Sequence, residues 1–141
     1  DLLAHGPDYA DMCIANARAL GAAMTTEGLP VHAADGRHTA SHHLALHAAP
    51  FGGGQAASKH LSKANLLLCG IGLPIAPVEG DLNGVRLGTQ EITRFGLTPK
   101  DMPQVARFLA RVLKGNEAPE QVRDDVIDFR RRFQTLRFIR A

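Results

Sequence analysis

The clearest candidate for chemistry in the chain is Arg86, which stands in a short apolar segment between Gly84 and Gly88. In a strand predicted over residues 85–89, its side chain points to one face and its two apolar neighbours point to the other. A guanidinium fixed in this way can bind a carboxylate through two parallel hydrogen bonds, and the glycines leave its approach unhindered. From these residues alone, an internal ion pair is an equally good interpretation, so both roles of Arg86 stay open.

Histidine is unusually dense in one part of the chain. The members are His38, His42, His43 and His47, with His32 and His60 further away. In a helix, pairs four residues apart would suit zinc, but the glutamate of the H-E-x-x-H metalloprotease motif is missing. In a strand, only His43 and His47 share a face, which leaves a site with two ligands. We therefore prefer chance clustering to a biological metal site and assign no metal ligand.

Other catalytic motifs are missing from the sequence. There is no G-x-S-x-G nucleophile elbow, and Ser41 beside His42 lacks an orienting acid. The glycine run 52–54 has neither the lysine of a phosphate-binding loop nor the G-x-G-x-x-G spacing. These residues provide no basis for nucleophilic catalysis or for a nucleotide site.

Hydrophobic periodicity and turn signals predict the elements that position these side chains. Helices are expected at 8–25, 55–64, 99–114 and 119–136, strands at 43–47, 66–69 and 85–89, and a turn at Asp35-Gly36. Thr98, Pro99 and Asp101 are typical of a helix start. A loop over 70–84 is unusually long for a compact domain, and such loops are often functional. This order predicts an α+β fold, with a small antiparallel or mixed sheet covered by helices.

The composition indicates the class of protein. With 141 residues, 45% hydrophobic and 21% charged, the chain is predicted to form a single globular domain over 1–141. A net charge of +2 gives no reason to expect a nucleic-acid partner, and no apolar run is long enough to cross a membrane. Cys13 and Cys69 lie in apolar stretches, which favours a reducing, cytoplasmic location. The arginine-rich end, 130–140, is interpreted as a solvated helix face in preference to an anion-binding or membrane-binding site.

The segment 84–96 also carries a resemblance. It is similar to the signature G-[IV]-R-[LIV]-G-T-x-x-[IL]-T-x-x-G near the C-terminal end of serine hydroxymethyltransferases, which are pyridoxal-phosphate enzymes of the aspartate-aminotransferase fold type (fold type I). Residues 9–20 resemble a helix of that family, and 43–46 resemble the strand that follows its Thr-Asp-Asn-His motif. Residues 97–113 and 122–133 resemble its last two helices. The resemblance therefore covers nearly the whole chain in the family's order.

The resemblance implies a fold and a role for this chain. Residues 1–141 would form the small C-terminal domain of a longer fold-type-I enzyme, whose large domain holds the cofactor and its Schiff-base lysine. Arg86 would bind the α-carboxylate of the substrate amino acid and so orient the bond that breaks. The chain by itself is expected to be inactive, with no catalytic or cofactor-binding residue of its own. The full-length enzyme is expected to bind pyridoxal 5'-phosphate, to act on an amino acid of the glycine, serine or threonine type, and to form a homo-oligomer.

Four departures from the family pattern bear on the reaction. Residues 40–43 replace Thr-Asp-Asn-His, 71–74 replace an Asn-Lys-Asn stretch, 90–91 replace Pro-Ala, and Phe95 stands where an arginine is common. The folate contacts of the family lie near the Asn-Lys-Asn stretch. Tetrahydrofolate is therefore a possible second cofactor that the resemblance does not by itself imply.

The reaction implied by the resemblance is reversible aldol cleavage or formation of a β-hydroxy amino acid, with glycine and an aldehyde equivalent on the other side. Two versions are open. Hydroxymethyl transfer with folate is ranked slightly ahead because that family is larger, which is an argument by association. A threonine-type transaldolase or aldolase would keep Arg86 without folate. Two alternatives of a different class are a non-catalytic binding module with the same fold and a metal protein built on the histidine cluster.

Overall fold

The computed structural model describes residues 1–34 and 36–140. Its helices are α1 (Leu2–Thr26), α2 (Gly54–Ser62), α3 (Gln90–Arg94), α4 (Met102–Leu113) and α5 (Pro119–Arg130), and its strands are β1 (His43–His47), β2 (Cys69–Ile71) and β3 (Gly84–Gly88). Short 3₁₀ turns precede α2 and α4, at Ala49–Phe51 and Pro99–Asp101. None of the helices in these described ranges is long and apolar enough to cross a lipid bilayer.

The three strands form one antiparallel sheet in the order β1-β3-β2. Strand β3 lies in the middle because both of its edges are paired, so that Ala45 of β1 and Cys69 of β2 are both opposite Arg86. On the far side of β1, Val31 forms an isolated antiparallel bridge with Leu46, which lengthens that edge. The predicted α+β fold with a small antiparallel sheet is confirmed.

The sheet has one buried face and one open face. Leu44 and Leu46 of β1, and Val85 and Leu87 of β3, are buried in a core that also contains side chains of α1, α2, α4 and α5. Burying an aliphatic side chain of this size is worth about 1.5–3 kcal/mol. Because side chains alternate along a strand, the same register leaves the intervening residues on the face without helices.

The second strand does not lie where the sequence predicts it. The apolar run 66–69 predicts a strand, but β2 pairs with β3 only from Cys69 to Ile71. The N–H of Leu66 donates to Leu61 O at 3.2 Å, which is a bond of the kind that ends a helix, and Leu67 is 85% exposed. The N–H of Leu66, which a longer β2 could use for strand pairing, is therefore bonded to the end of α2. Because β2 extends to Ile71, the loop between β2 and β3 is shorter than predicted.

The last helix also differs from its prediction. Periodicity extends it to residue 136, but α5 ends at Arg130. Beyond it, the N–H of Arg137 donates to Arg94 O at the end of α3, at 2.7 Å. The prediction of a solvated helix face over 130–140 is therefore wrong in its helical part, because the chain has left the helix before most of these arginines.

Two smaller differences concern α1 and α3, and one predicted turn lies partly outside the described residues. α1 begins at Leu2 instead of residue 8, with Pro7 inside it. The short helix α3 is a further element that the sequence analysis did not predict. At the predicted 35–36 turn, Asp35 lies outside the described residues, and Gly36 has a φ of +73°, which favours glycine.

A buried amide ties the chain after β3 to α1. Asn16 is fully buried, and its Nδ2 donates to Thr93 Oγ1 and to Leu97 O, both at 2.9 Å. The hydroxyl of Thr89 donates to Cys13 O at 2.7 Å. These bonds hold both ends of α3 against α1, and they fix the position of the chain that leaves β3.

Arg111 joins α4 to α5 through two carboxylates. Its Nε and Nη2 donate to the two carboxylate oxygens of Glu117 at 2.6 and 2.5 Å, and Nη2 lies 2.7 Å from Asp125 Oδ2. Hydrogen bonds from Arg111 lower the pKa of Glu117, and the same bonds, with those to Asp125, raise the pKa of Arg111.

Replacing Arg111 by glutamine is expected to lower the melting temperature by about 3 °C at pH 7, because both carboxylates lose their partner. The folded pKa of Glu117 is lowered, so its contribution is complete above the ordinary value of 4.5 and is lost as the pH falls below it. Thermal unfolding at pH 7 and pH 3 should show the difference between wild type and Arg111→Gln shrinking at pH 3.

The matched control is Arg107→Gln on the same helix, since Arg107 is exposed and lies 3.9 Å from Glu27 in a loose ion pair. This control should change the melting temperature little at either pH. An equal loss for Arg111→Gln at both pH values would contradict the ionic role of Arg111.

Candidate functional site

Arg86 lies at the centre of the open face of the sheet. Its side chain is exposed on the middle strand, directly opposite Ala45 and Cys69. Among residues 1–34 and 36–140, no carboxylate lies within ion-pair distance of its guanidinium. The internal ion pair considered from the sequence is therefore not formed within these residues, and the N–H donors of Arg86 face solvent.

The two glycines beside Arg86 are covered by neighbouring side chains. A Cβ on Gly84 would lie 2.6 Å from Leu73 Cδ1, and a Cβ on Gly88 would overlap Gln90 Oε1. The missing side chains thus allow Leu73 and Gln90 to approach the strand at the two ends of the site. The unhindered approach expected from the sequence is therefore wrong at these two ends.

The structure divides the histidine cluster. His43 and His47 lie on the open face by the alternation of β1, and His32 joins them because its Nδ1 lies 3.1 Å from His47 Nε2. The rings of His43 and His42 lie side by side, with centroids 3.9 Å apart and a tilt of 46° between the ring planes. His38 packs against α1 instead. In the part of the chain that the structure describes, no three His, Cys, Asp or Glu residues are grouped so as to hold a metal ion.

His43 lies on the same face of the sheet as Arg86. It is opposite Gly88, two residues from Arg86 on the same face, and its backbone N–H donates to Ser41 Oγ at 3.1 Å. Partial burial lowers the pKa of His43, and the neighbouring His42 and Arg86 lower it further. The ring is therefore neutral at pH 7, with one nitrogen carrying a proton.

Two polar side chains organise the long loop between β2 and β3. Asn83 is buried, and its Oδ1 accepts the N–H of Leu73 at 2.7 Å while its Nδ2 donates to Leu73 O at 2.9 Å. Asp81 accepts the N–H groups of Ala56 and Gln55 at the start of α2, both at 2.9 Å. These bonds lower the pKa of Asp81. The loop is thereby fixed with Leu73 over the sheet.

An apolar groove of about 630 Å³ lies on the helical side of the molecule, between the segment 65–68, α3 and α5. Arg86 does not line this groove. At one wall the guanidinium of Arg130 lies over the ring of Phe95, 3.8 Å from its centroid. Phe95 is the position where the resembling family commonly has an arginine, so a guanidinium from α5 is brought close to that place.

Gln90 is a residue of this site that the sequence analysis noted only as a departure from a family pattern. Its carboxamide lies over Gly88, and its side chain has no hydrogen-bond partner within the described residues. The signal in the sequence was the replacement of Pro-Ala by residues 90–91. The sequence does not reveal that Gln90 folds back onto the open face; this is visible only in the structure, in the short turn from β3 into α3.

Comparison with known proteins shows which enzymes the chain is similar to. It is 46% identical over 140 residues to an alpha-methylserine aldolase of a Ralstonia species and 52% identical over 139 residues to one of Variovorax paradoxus. It is 39% identical over 133 residues to the serine hydroxymethyltransferase of Pyrobaculum neutrophilum. These matches cover 99%, 99% and 94% of this chain but 32%, 31% and 31% of the relatives, so the chain spans about a third of their length. No family model matches it.

The fold agrees with the sequence matches. L-threonine transaldolase from Pseudomonas fluorescens, in its internal aldimine state, has a TM-score of 0.78 and 29% identity over 91% of this chain and 29% of that chain. Fold and sequence together define the class, which is the small C-terminal domain of fold-type-I pyridoxal-phosphate enzymes. Within that class the chain is grouped with the serine hydroxymethyltransferase-like enzymes, and the resemblance carried by residues 84–96 is confirmed.

Replacing Asn83 by alanine is expected to release the loop that holds Leu73 over the sheet. The change leaves the part-buried N–H and C=O of Leu73 without their side-chain partner, which costs about 1 kcal/mol of unfolding free energy. Amide hydrogen exchange at Leu73 should become faster, while exchange at Val85 in the core of β3 follows only the global loss of stability. Glu79→Ala, at an exposed position of the same loop, is the control. Unchanged protection at Leu73 would contradict the role of Asn83.

Proposed function

We propose that this chain is the substrate-orienting domain of an aldolase that cleaves the Cα–Cβ bond of an α-methyl-β-hydroxy amino acid without tetrahydrofolate. The observation that carries the proposal is the exposed Arg86 at the centre of the open face, in a chain 46–52% identical to alpha-methylserine aldolases. The substrate would be an amino acid of the α-methylserine type, and the products would be alanine and formaldehyde. The reaction balances because the β-hydroxyl loses a proton, the Cα–Cβ electron pair stays at Cα, and Cα takes up a proton.

In this proposal Arg86 binds the α-carboxylate of the substrate. Pyridoxal phosphate, when bound, withdraws electrons from Cα, which weakens the Cα bond that stands perpendicular to the cofactor ring. A carboxylate held by two parallel hydrogen bonds fixes the rotation of the amino acid, so Arg86 decides which bond takes that position. The middle strand is suited to this task because it is paired on both sides and cannot shift easily.

In this proposal the chain supplies only the smaller part of the residues that form a pyridoxal-phosphate site. Its lysines are Lys59, Lys63, Lys100 and Lys114. All four are exposed on or beside helices and turns, and none lies on the open face with Arg86. The linking amine is therefore expected outside residues 1–141, in a large domain of the full-length enzyme. A homo-oligomeric, cytoplasmic enzyme is part of the same proposal.

The loop after β2 supports an aldolase that does not use folate. Leu73 lies over Gly84, its backbone is bonded to Asn83, and Pro74 follows it. Where the resembling family has Asn-Lys-Asn, this chain has apolar side chains that offer a folate no amide or ammonium group. The identities point the same way, since the aldolases match at 46–52% and the hydroxymethyltransferases at 35–39%. We therefore place the aldolase version ahead of the hydroxymethyltransferase version, which family size alone would favour.

The function is tested with the full-length protein that contains this chain, loaded with pyridoxal phosphate. It should release formaldehyde from α-methylserine without added tetrahydrofolate, and serine with tetrahydrofolate should be the poorer substrate pair. Formaldehyde is measured by trapping it with a colorimetric reagent. A requirement for tetrahydrofolate would restore the hydroxymethyltransferase version. A protein that neither holds the cofactor nor cleaves either substrate would support the binding-module alternative.

Replacing Arg86 by alanine in that protein is expected to lower kcat/KM for the amino acid roughly 100-fold, because a charged double hydrogen bond to the carboxylate is lost. The visible absorbance of the bound cofactor should be retained. Cys69→Ser changes the neighbouring residue on the same face and serves as the control. Unchanged affinity for the amino acid in Arg86→Ala would defeat the carboxylate role.

A further inference from the structure

Three polar side chains surround Gly88 on the open face. Gly88 follows Arg86 by two residues on the same side of β3, a separation of about 7 Å along the strand. A Cβ on Gly88 would overlap Gln90 Oε1, so the carboxamide of Gln90 lies directly over this glycine. On the neighbouring strand, His43 is opposite Gly88. Gly88, which the carboxamide of Gln90 covers, therefore lies in a small polar site whose walls are Arg86, Gln90 and His43.

The backbone at two of these walls is fixed by local hydrogen bonds. The hydroxyl of Tyr9 on α1 donates to Gln90 O at 2.9 Å, which holds the start of α3. The N–H of His43 donates to Ser41 Oγ at 3.1 Å, which holds the start of β1. A site whose backbone is fixed in this way loses less conformational entropy when a ligand binds.

The chemistry of the three side chains suits an anion. Arg86 carries N–H donors only, the carboxamide of Gln90 adds an NH₂ group with no partner within the described residues, and the neutral ring of His43 adds one N–H. The neighbouring Glu91 lines the groove on the helical side. A set of several N–H donors on one face of the sheet matches the two oxygens of a carboxylate. The donor at position 90 is one of the departures from the resembling family's pattern, which has a proline there.

We propose that Gln90 and His43 complete the carboxylate site begun by Arg86, so that side chains from α3, β1 and β3 donate to one substrate carboxylate. This inference rests on the role of Arg86 in the proposed function and adds two positioning residues to it. The guanidinium supplies the charge, and the two neutral donors restrict the rotation of the carboxylate about the axis of Arg86.

The test uses acetate as a probe of the full-length protein that contains this chain. Acetate has a carboxylate but no amino group, so it reports on the carboxylate site without reacting with the cofactor. Its dissociation constant is measured by NMR titration of the arginine and glutamine side-chain N–H signals. In wild type, the signals of Arg86 and Gln90 should shift together and give the same dissociation constant.

Two variants address the added donors. Gln90→Glu keeps the shape of the side chain but replaces the donor with a carboxylate, and it should raise the dissociation constant for acetate at least about tenfold. His43→Phe keeps a ring without its N–H and should raise the constant about threefold. Gln121→Glu makes the same chemical change at an exposed position of α5 and should leave acetate binding unchanged.

The outcomes separate this inference from the proposed function. If Gln90→Glu and His43→Phe bind acetate as wild type does while Arg86→Lys binds it more weakly, Arg86 acts alone and the inference is wrong. If Arg86→Lys also binds acetate as wild type does, the carboxylate role of Arg86 in the proposed function is wrong as well. Weaker binding in all three variants, with an unchanged Gln121→Glu control, supports the three-residue site.

Discussion

The position of Arg86 depends on the pairing of one short strand in the middle of the sheet. Because β3 is bonded to β1 on one side and β2 on the other, its register is set twice. A slip of one residue would turn Val85 and Leu87 to the open face and bury the guanidinium of Arg86 among the helices. The first change would lose the free energy gained by burying two aliphatic side chains, and the second would place an unpaired charge in an apolar core. The burial of apolar side chains on one face of the sheet therefore fixes the guanidinium of Arg86 on the other face.

The side chains that border the site are held in place by a loop on one side and by a helix contact on the other. Leu73 is held over Gly84 by a loop that Asn83 and Asp81 organise, and Gln90 is held over Gly88 by the docking of α3 on α1. The two glycines make this possible because any side chain there would collide with these neighbours. Gly84 and Gly88 matter chiefly because they let Leu73 and Gln90 approach the strand closely, and less because they leave open space beside Arg86.

The buried hydrogen-bond network and the side chains that border the site indicate different properties of the protein. The buried network of Asn16, Thr89 and Thr93 fixes the fold that the chain shares with the serine hydroxymethyltransferase-like enzymes. The departures from that family's pattern at 71–74 and 90–91 contribute Leu73 and Gln90 to the borders of the open face. A fold can keep its scaffold while such border residues change, so the scaffold indicates the class and the borders bear on the substrate.

The sequence by itself determined the features that local signals control. The alternation around Arg86 and the strand 43–47 were predictable from a period of two, and the helix start at Thr98 and Asp101 was predictable because a capping box closes within one turn. Tertiary structure decided what depends on partners distant in the chain. The end of α5 at Arg130 and the bond from Arg137 to Arg94 beyond it have no local signal, and neither has the placement of His32 against His47. The position of the Gln90 carboxamide over Gly88 was likewise decided by tertiary structure. The departure from the family pattern at residue 90 is visible in the sequence, but the place of its side chain depends on the packing of α3 on α1.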